Sequence, residues 1–346
     1  MTLKTFFPLI WDSTQLAQAK ACQTSFFRNH VQHLNGEEST DLIAGAAFAE
    51  GIHTVRREFF THGQPLKDAL LSGIEALYVS YGDHIPRFKE NKSPLRMALA
   101  LESYFNEYDP EHDDFAPVKL EGGNHAMEYN MLAPIVDLGG KVILHPELGL
   151  PLLFNGRLDL LANYAGEYWM VDEKTTAGYF TENWVNSWNM RDQFTAYAWL
   201  GQQSSIPQLQ QISKIMIRGI SLPKSRSKDP NTIDAFYADI GTIKHQTAPT
   251  YRTQFMIDNW HLGMANTIRQ LTDAYSRWKV SGEPFHRFFT KAGGEHCVAY
   301  SRPCRFTESC MNPNEEKYLE VEEQYIWRPD LAKRQRLEDF LSEMSL

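Results

Sequence analysis

The sequence is short of the features that would place it in several large classes. Among 346 residues there are four cysteines, too few for a disulfide framework in a chain of this length and in keeping with a reducing compartment. No run approaches the ~20 uninterrupted apolar residues that a bilayer span needs. The apolar start Phe6-Phe7-Pro8-Leu9-Ile10-Trp11 is also too short for a secretory leader. A soluble, cytoplasmic protein with no membrane partner is expected. No Gly-x-x-x-x-Gly-Lys-Ser/Thr phosphate loop occurs, so the chain brings no helicase motor of its own. Internal repeats and low-complexity tracts are missing as well. Basic residues are outnumbered, 34 Lys and Arg against 43 Asp and Glu, for a net charge of -9. Any contact with nucleic acid therefore rests on a local basic strip, and net charge by itself discriminates little.

What is present is an ordinary globular composition, 42% hydrophobic and 12% aromatic, long enough for a full core. Ser13 and Thr14 can cap a helix running to Phe26, and apolar spacings of three and four predict a second helix from Asp41 to Phe59. Residues 66 to 108 read as helical with a proline break near Pro86 and Pro94, and Asp109 to Asp114 as a solvated turn. The texture then becomes extended, with strand-like runs at Ala126 to Ile135, Lys141 to Leu144, Leu152 to Leu161 and Tyr168 to Asp172, from which three or four strands are expected. A helix over Gln193 to Leu200, a strand at Lys214 to Ile220, a basic loop through Lys224, Arg226 and Lys228, and a long helix from Thr253 to Val280 follow. Strands enclosed by helices indicate an α/β fold.

The chemistry concentrates in Gly156-Arg157-Leu158-Asp159 and, thirteen residues on from Asp159, Asp172-Glu173-Lys174. On a strand, successive side chains alternate faces, so Asp172 and Lys174 point together and Glu173 points away. An antiparallel neighbour through Leu158 to Leu161, joined by a turn near Gly166, brings Asp159 beside them. Two carboxylates and a lysine then converge, a set suited to a hard divalent cation such as Mg2+ or Mn2+. Such a cation neutralises a phosphate and acidifies a water that Lys174 can orient. Asp-x-Lys alone is a common solvated strand end, but here the apolar strand Tyr168-Trp169-Met170-Val171 runs directly into three charges. The last fifth of the chain holds Cys297, Cys304 and Cys310 within fourteen residues, with Cys22 alone near the start. A cysteine is commonly a small buried hydrophobe; three crowded among glycine, proline and charge read as ligands for zinc or an iron-sulfur cluster.

With Gln193-Phe194-Thr195-Ala196-Tyr197 following Gly156 to Asp159 and Asp172 to Lys174 in order, the chain resembles the PD-(D/E)XK nuclease superfamily. The likeness is to its RecB-like branch, which includes CRISPR-associated single-strand exonucleases and AddB-type helicase-nuclease subunits. The resemblance implies a restriction-endonuclease-like core, a central mixed β-sheet flanked by helices, with helical elaborations at both ends. It implies one nuclease domain over residues 1–346, comprising a helical part 13–115, a catalytic core 118–222, and a C-terminal helix and cysteine-rich segment 250–346. It makes Asp159, Asp172 and Lys174 catalytic and Gln193 and Tyr197 substrate-binding. The metal ligands it implies are Asp159, Asp172, Glu173 through its backbone carbonyl, and His53, for which Glu128 is the alternative. It gives Cys22, Cys297, Cys304 and Cys310 a 4Fe-4S cluster stapling the two ends together, although the six residues between Cys297 and Cys304 depart from the branch's usual gap of two and leave zinc as the alternative.

The expected activity is hydrolysis of DNA phosphodiesters, as an exonuclease working from a free or single-stranded end, in repair or recombination, with any unwinding left to a helicase or recombination partner. Arg56 and Arg57, with the basic loop, are candidates to grip phosphates. The alternative is a catalytically silent nucleic-acid-binding or recombination-assembly subunit on the same fold. Retention of Asp159, Asp172 and Lys174 together argues against silence.

Overall fold

The computed structural model describes residues 5–35, 39–82, 92–223, 242–299, 302–312 and 326–327. In chain order the elements are β1 (Ile10–Trp11), α1 (Ser13–Ala21), α2 (Gln23–Phe26), β2 (Leu34–Asn35), α3 (Thr40–Arg56), α4 (Leu66–Tyr81), α5 (Pro94–Glu107), β3 (Ala116–Pro117), β4 (Met127–Pro134), β5 (Leu153–Tyr164), β6 (Glu167–Thr176), α6 (Glu182–Asn186), α7 (Asp192–Gln203), α8 (Pro207–Gln210), β7 (Lys214–Ser221) and β8 (Lys244–Tyr251). A long helix, Gln254–Ser281, and short pieces of the cysteine-rich segment follow. All of these strands but β2 form a mixed seven-stranded sheet in the order β1-β5-β6-β7-β8, with β3 and β4 also pairing with β5. This is the α/β, restriction-endonuclease-like architecture expected from the sequence.

Several boundaries differ from the sequence expectation for physical reasons. The cap of α1 is Asp12, whose Oδ1 accepts the Gln15 amide at 2.8 Å, so Ser13 already belongs to the helix. Pro94 opens α5 rather than breaking a helix, because its missing N–H falls where the first helical turn has no partner for one. Lys141 to Leu144 makes only isolated bridges, Val136 to Val142 and Leu144 to Pro151. The sequence reading missed β8, an edge strand whose Gln246, Thr247 and Pro249 hide its pattern. Pro86, Lys224, Arg226 and Lys228 lie outside the described residues.

The chain falls into two compact units. Residues 1–37, 132–156 and 258–346 form one. Its core is aromatic, with Trp11 stacked on Phe26 at 4.9 Å and Phe27 on Phe285 at 4.6 Å. Residues 38–131 and 157–257 form the other. There α3, α4 and α5 bury Phe48, Val55, Leu77, Leu101 and Phe105 together with Ile220 and Leu222 at the end of β7. Helices α3 and α4 meet at two glycines. A Cβ on Gly73 would lie 2.3 Å from Val55 Cγ2 and 2.8 Å from the Gly51 carbonyl, so only glycine allows this approach. Among the described residues no helix is long and apolar enough to cross a membrane.

Candidate active site

The site begins at a hairpin turn. Ala165 and Gly166 both have positive φ, 53° and 81°, the conformation that a two-residue turn between right-twisted strands requires. The turn sets Tyr164 opposite Glu167 and, step by step, Leu160 opposite Val171. Asp159 and Asp172 are the next residues along the two strands, and the Asp172 charge acts on Asp159. Asp172 is 1% exposed and Asp159 half-buried. Burial, and then the Asp172 charge, push the Asp159 carboxyl well above the usual carboxylate range. Burial also raises Asp172, against the pull of Lys174, whose Nζ lies 2.5 Å from Asp172 Oδ2. Burial disfavours a charged Lys174, yet Asp172 and Asp159 hold its pKa above the ordinary lysine value. Two carboxylates against one ammonium leave a half-neutralised, poorly solvated negative charge.

Helix α7 covers this face. Gln193 Nε2 donates to Asp172 Oδ1 at 3.5 Å and to the Tyr197 hydroxyl at 3.0 Å, and the Lys174 ammonium lies 6.0 Å from the centre of the Phe194 ring. Gln193 and Tyr197 share a helix face because they are four residues apart. Burial, then Asp159 and Asp172, push the Tyr197 phenol up, so it stays neutral. The start of α7 is pinned by Arg252, which donates to Thr195 Oγ1 and the Trp188 carbonyl, both at 2.9 Å. Burial lowers the Arg252 pKa to about 10, against the pull of Asp192. Nothing in the local sequence marked it.

Glu173 goes to the opposite face, as strand alternation requires. Its Oε1 accepts from Arg56 Nη2 at 2.5 Å and from the Tyr104 hydroxyl at 2.7 Å. Arg218, beside Glu173 in the β6–β7 register, bonds the Asp113 carboxylate at 2.6 and 2.7 Å and reaches the Tyr104 hydroxyl at 3.3 Å. Burial alone would raise Glu173, but Arg56 and Tyr104 outweigh it and hold its pKa below the usual value. Arg56 is 4% exposed and fully engaged, which corrects its reading as a phosphate grip. Asp113 likewise corrects the reading of Asp109 to Asp114 as wholly solvated. Sequence reasoning found neither partnership, since Arg56 and Glu173 are 117 residues apart and Asp113 and Arg218 are 105 apart.

Asp159, Glu173, Lys174 and Glu128 line one cavity of about 330 Å³, walled on another side by α3. Glu128 has φ 48°, an uncommon conformation for a glutamate, and its Oε2 lies 2.7 Å from Arg157 Nε. Burial raises its pKa. His53 stands on α3 one turn before Arg56. Its Nδ1 is buried and has no hydrogen-bond partner among the described residues. Burial lowers its pKa against the pull of Glu50, leaving the neutral imidazole that binds metals. Crowded carboxylates and a glutamate on the same cavity are the oxygen donors a hard divalent cation takes, but among the described residues no three donors of His53, Glu128, Asp159 and Asp172 lie within 4.8 Å of one another, and His53 does not line the cavity.

A model of the PD-(D/E)XK nuclease superfamily matches residues 13–311. The chain belongs to this superfamily. A search of curated proteins finds no match to the chain. Superfamily membership makes it a nuclease in general terms, with divalent metal as cofactor and nucleic acid as substrate.

The matched span of this PD-(D/E)XK nuclease takes in all four cysteines. None forms a disulfide and all are half-buried. Cys22 Sγ accepts the Ala292 amide at 3.4 Å, Cys297 Sγ donates to the Ala292 carbonyl at 3.6 Å, and the Cys304 amide donates to the Cys297 carbonyl at 2.7 Å. Cys304 and Cys310 pack together against Leu34 and Phe306. Cys22 and Cys297 thus share Ala292 as a hydrogen-bond partner.

Among the described residues, the one group of three His, Cys, Asp or Glu donors within 4.8 Å of one another is Asp109, Glu111 and His112, which could hold a metal ion. The sequence reading did not single them out. They sit on an exposed turn, and His112 Nδ1 already bonds Asp109 Oδ2 at 2.7 Å.

Proposed function

We propose that this nuclease is a metal-dependent deoxyribonuclease of the RecB-like branch, acting as an exonuclease from a free or single-stranded DNA end. The observation that carries the reading is the convergence of Asp159, Asp172 and Lys174 at the open end of the β5–β6 hairpin, with Gln193 bonded to Asp172. Asp159 and Asp172 would hold Mg2+ or Mn2+, with Glu128 or His53 and the Glu173 carbonyl completing the set. When bound, the cation neutralises the scissile phosphate and acidifies a water beside it.

The protein's own residues supply the rest. Lys174 Nζ, protonated beside Asp172, donates hydrogen bonds to the attacking water and to the phosphate oxygens as negative charge builds on them. Gln193 fixes the orientation of the Asp172 carboxylate, and the neutral Tyr197 hydroxyl offers a donor toward substrate. Glu173, drawn to the other face by Arg56 and Tyr104, keeps the strand between Asp172 and Lys174 in one register.

For the four cysteines we infer a 4Fe-4S cluster from the one-plus-three layout of Cys22 with Cys297, Cys304 and Cys310, with zinc as the alternative. Among the described residues no three of their sulfurs lie within 4.8 Å of one another. The cluster's role is structural, tying Cys22 to the tail. With no phosphate loop in the chain, duplex unwinding belongs to a separate helicase or recombination partner in the cytoplasm.

Circular and linear single-stranded DNA of one sequence, incubated with the wild-type protein and Mg2+ or Mn2+, tests the reading. Degradation of the linear form with the circle spared is expected. Cleavage of the circle at equal rate contradicts an exonuclease, and degradation of RNA in preference to DNA contradicts a deoxyribonuclease.

A further inference from the structure

One helical face of α3 lines the cavity that holds Asp159 and Lys174. Asp41, Gly45, Phe48, Ala49 and Ile52 occupy it, at the spacings of three and four that place side chains on one stripe. Lys92 completes the wall. Its carbonyl accepts the Tyr81 hydroxyl at 2.8 Å, and Ser93, next in sequence, caps α5, so its backbone is fixed between two helices. Lys92 is 9% exposed, and its ammonium lies 3.2 Å from Asp41 Oδ1.

The cations around the cavity differ in their partners. Lys174 is held by Asp172, Arg56 by Glu173, and Arg157 by Glu128, carboxylates whose side chains are 1%, 5% and 15% exposed. Asp41, the partner of Lys92, is 65% exposed. A carboxylate that wet loses little by turning into solvent, so Lys92 is the cation most readily handed to an incoming anion. From Asp41 to Ile52 the stripe runs about 16 Å along the helix axis, and the next turn of α3 carries Arg56, bonded to Glu173 on the catalytic strand. Lys92 pairs with Asp41, at the N-terminal end of this stripe. Gly45, Phe48, Ala49 and Ile52 offer an apolar wall, and among the described residues no atom lies within 4 Å of a Cβ added at Gly45.

We propose that this wall is a nucleotide subsite, in which Lys92 binds a backbone phosphate flanking the scissile one and the α3 stripe packs the nucleoside between them. The proposal rests on the nuclease reading above and adds to it the residues that grip the substrate strand beyond the metal.

The test uses the full-length wild-type protein, Lys92→Met and Gly45→Leu, each checked for its melting temperature, on an end-labelled single-stranded oligonucleotide with Mg2+ over a series of KCl concentrations. Lys92→Met is expected to raise KM about tenfold, as for the loss of one charge-assisted contact, with a smaller change in kcat. The slope of log KM against log salt should become shallower by about 0.7, as for one released phosphate contact on a single strand. Gly45→Leu, which improves helix propensity and whose Cβ meets no described atom within 4 Å, should raise KM while keeping the wild-type salt slope. KM and slope unchanged in both variants, or a fall in kcat alone, overturns the subsite. If the wild type cleaves nothing, the nuclease reading fails separately, and binding of the same oligonucleotide in Ca2+ then decides the subsite: equal affinity of wild type and Lys92→Met overturns it.

Discussion

Asp172 and Glu173, adjacent in the chain, carry their carboxylates to opposite faces of β6, one to Lys174 at 2.5 Å and the other to Arg56 at 2.5 Å. The two pairs have different electrostatic histories. Glu173 is stabilised as an anion by Arg56 and Tyr104, while Asp172 and Asp159 are crowded together by burial. The back face is a strut and the front face a charge held in readiness.

The strut makes a stability prediction. Removing Arg56 leaves Glu173 buried without its counter-ion, so Arg56→Met should cost about 3 to 5 kcal/mol. Tyr104→Phe, which removes the hydroxyl that donates to Glu173 and accepts from Arg56 and Arg218, should cost about 1 to 3 kcal/mol. Urea titration measures both. An Arg56→Met protein as stable as the wild type would show that the pair carries no structural load.

Its pH dependence has a definite sign. Glu173 titrates below the ordinary glutamate value in the fold, so its contribution is present above that ordinary value and is lost as pH falls through the lower folded value. Glu173→Gln should be less stable than wild type at neutral pH, and the gap should close in acid. Melting temperature against pH reads this directly.

The front face behaves in the opposite way. Asp159 is held well above the usual carboxylate range, so its ionisation at neutral pH destabilises the metal-free fold, and the penalty eases as pH falls toward and below the folded value. Without metal, Asp159→Asn should therefore melt higher than wild type at neutral pH. Addition of Mg2+ or Mn2+ at about a hundred times its dissociation constant should stabilise the wild type by about 2.7 kcal/mol and Asp159→Asn by much less. Chelation should reverse the gain. Equal shifts in both proteins would remove Asp159 from the metal site.

The hairpin that carries these charges was legible because strand alternation has a period of two and Gly166 marks the turn, so the convergence of Asp159, Asp172 and Lys174 was readable from spacing, while their catalytic role was what the family resemblance implied. What surrounds it was not. Arg56, Tyr104, Asp113 and Arg218 come from four separate segments, and nothing local ties a buried arginine on α3 to a glutamate on β6. Beside Arg57 on a helix, Arg56 read as a phosphate ligand; only the packing of α3 over the sheet shows where its guanidinium goes. Arg252 was hidden in the same way, as was β8, whose polar edge and Pro249 mask its pairing with β7.

The cysteines separate a structural cluster from simple packing. Cys304→Ser should lose bound iron and the brown colour of the purified protein, and should melt at lower temperature, because Cys22 would no longer be tied to the tail. Colourless wild-type protein containing zinc would replace the cluster with a zinc site.

The central claim is that Asp159, Asp172 and Lys174 make an active metal-dependent nuclease. It is met most directly by incubating wild type and Lys174→Ala, matched for folding, with end-labelled single- and double-stranded DNA and Mg2+ or Mn2+. Cleavage by the wild type and a loss on the order of a hundredfold to ten-thousandfold in the variant are predicted, the scale expected when a positioned proton donor is removed. Equal products from the two proteins, or none from the wild type with either metal, would contradict it.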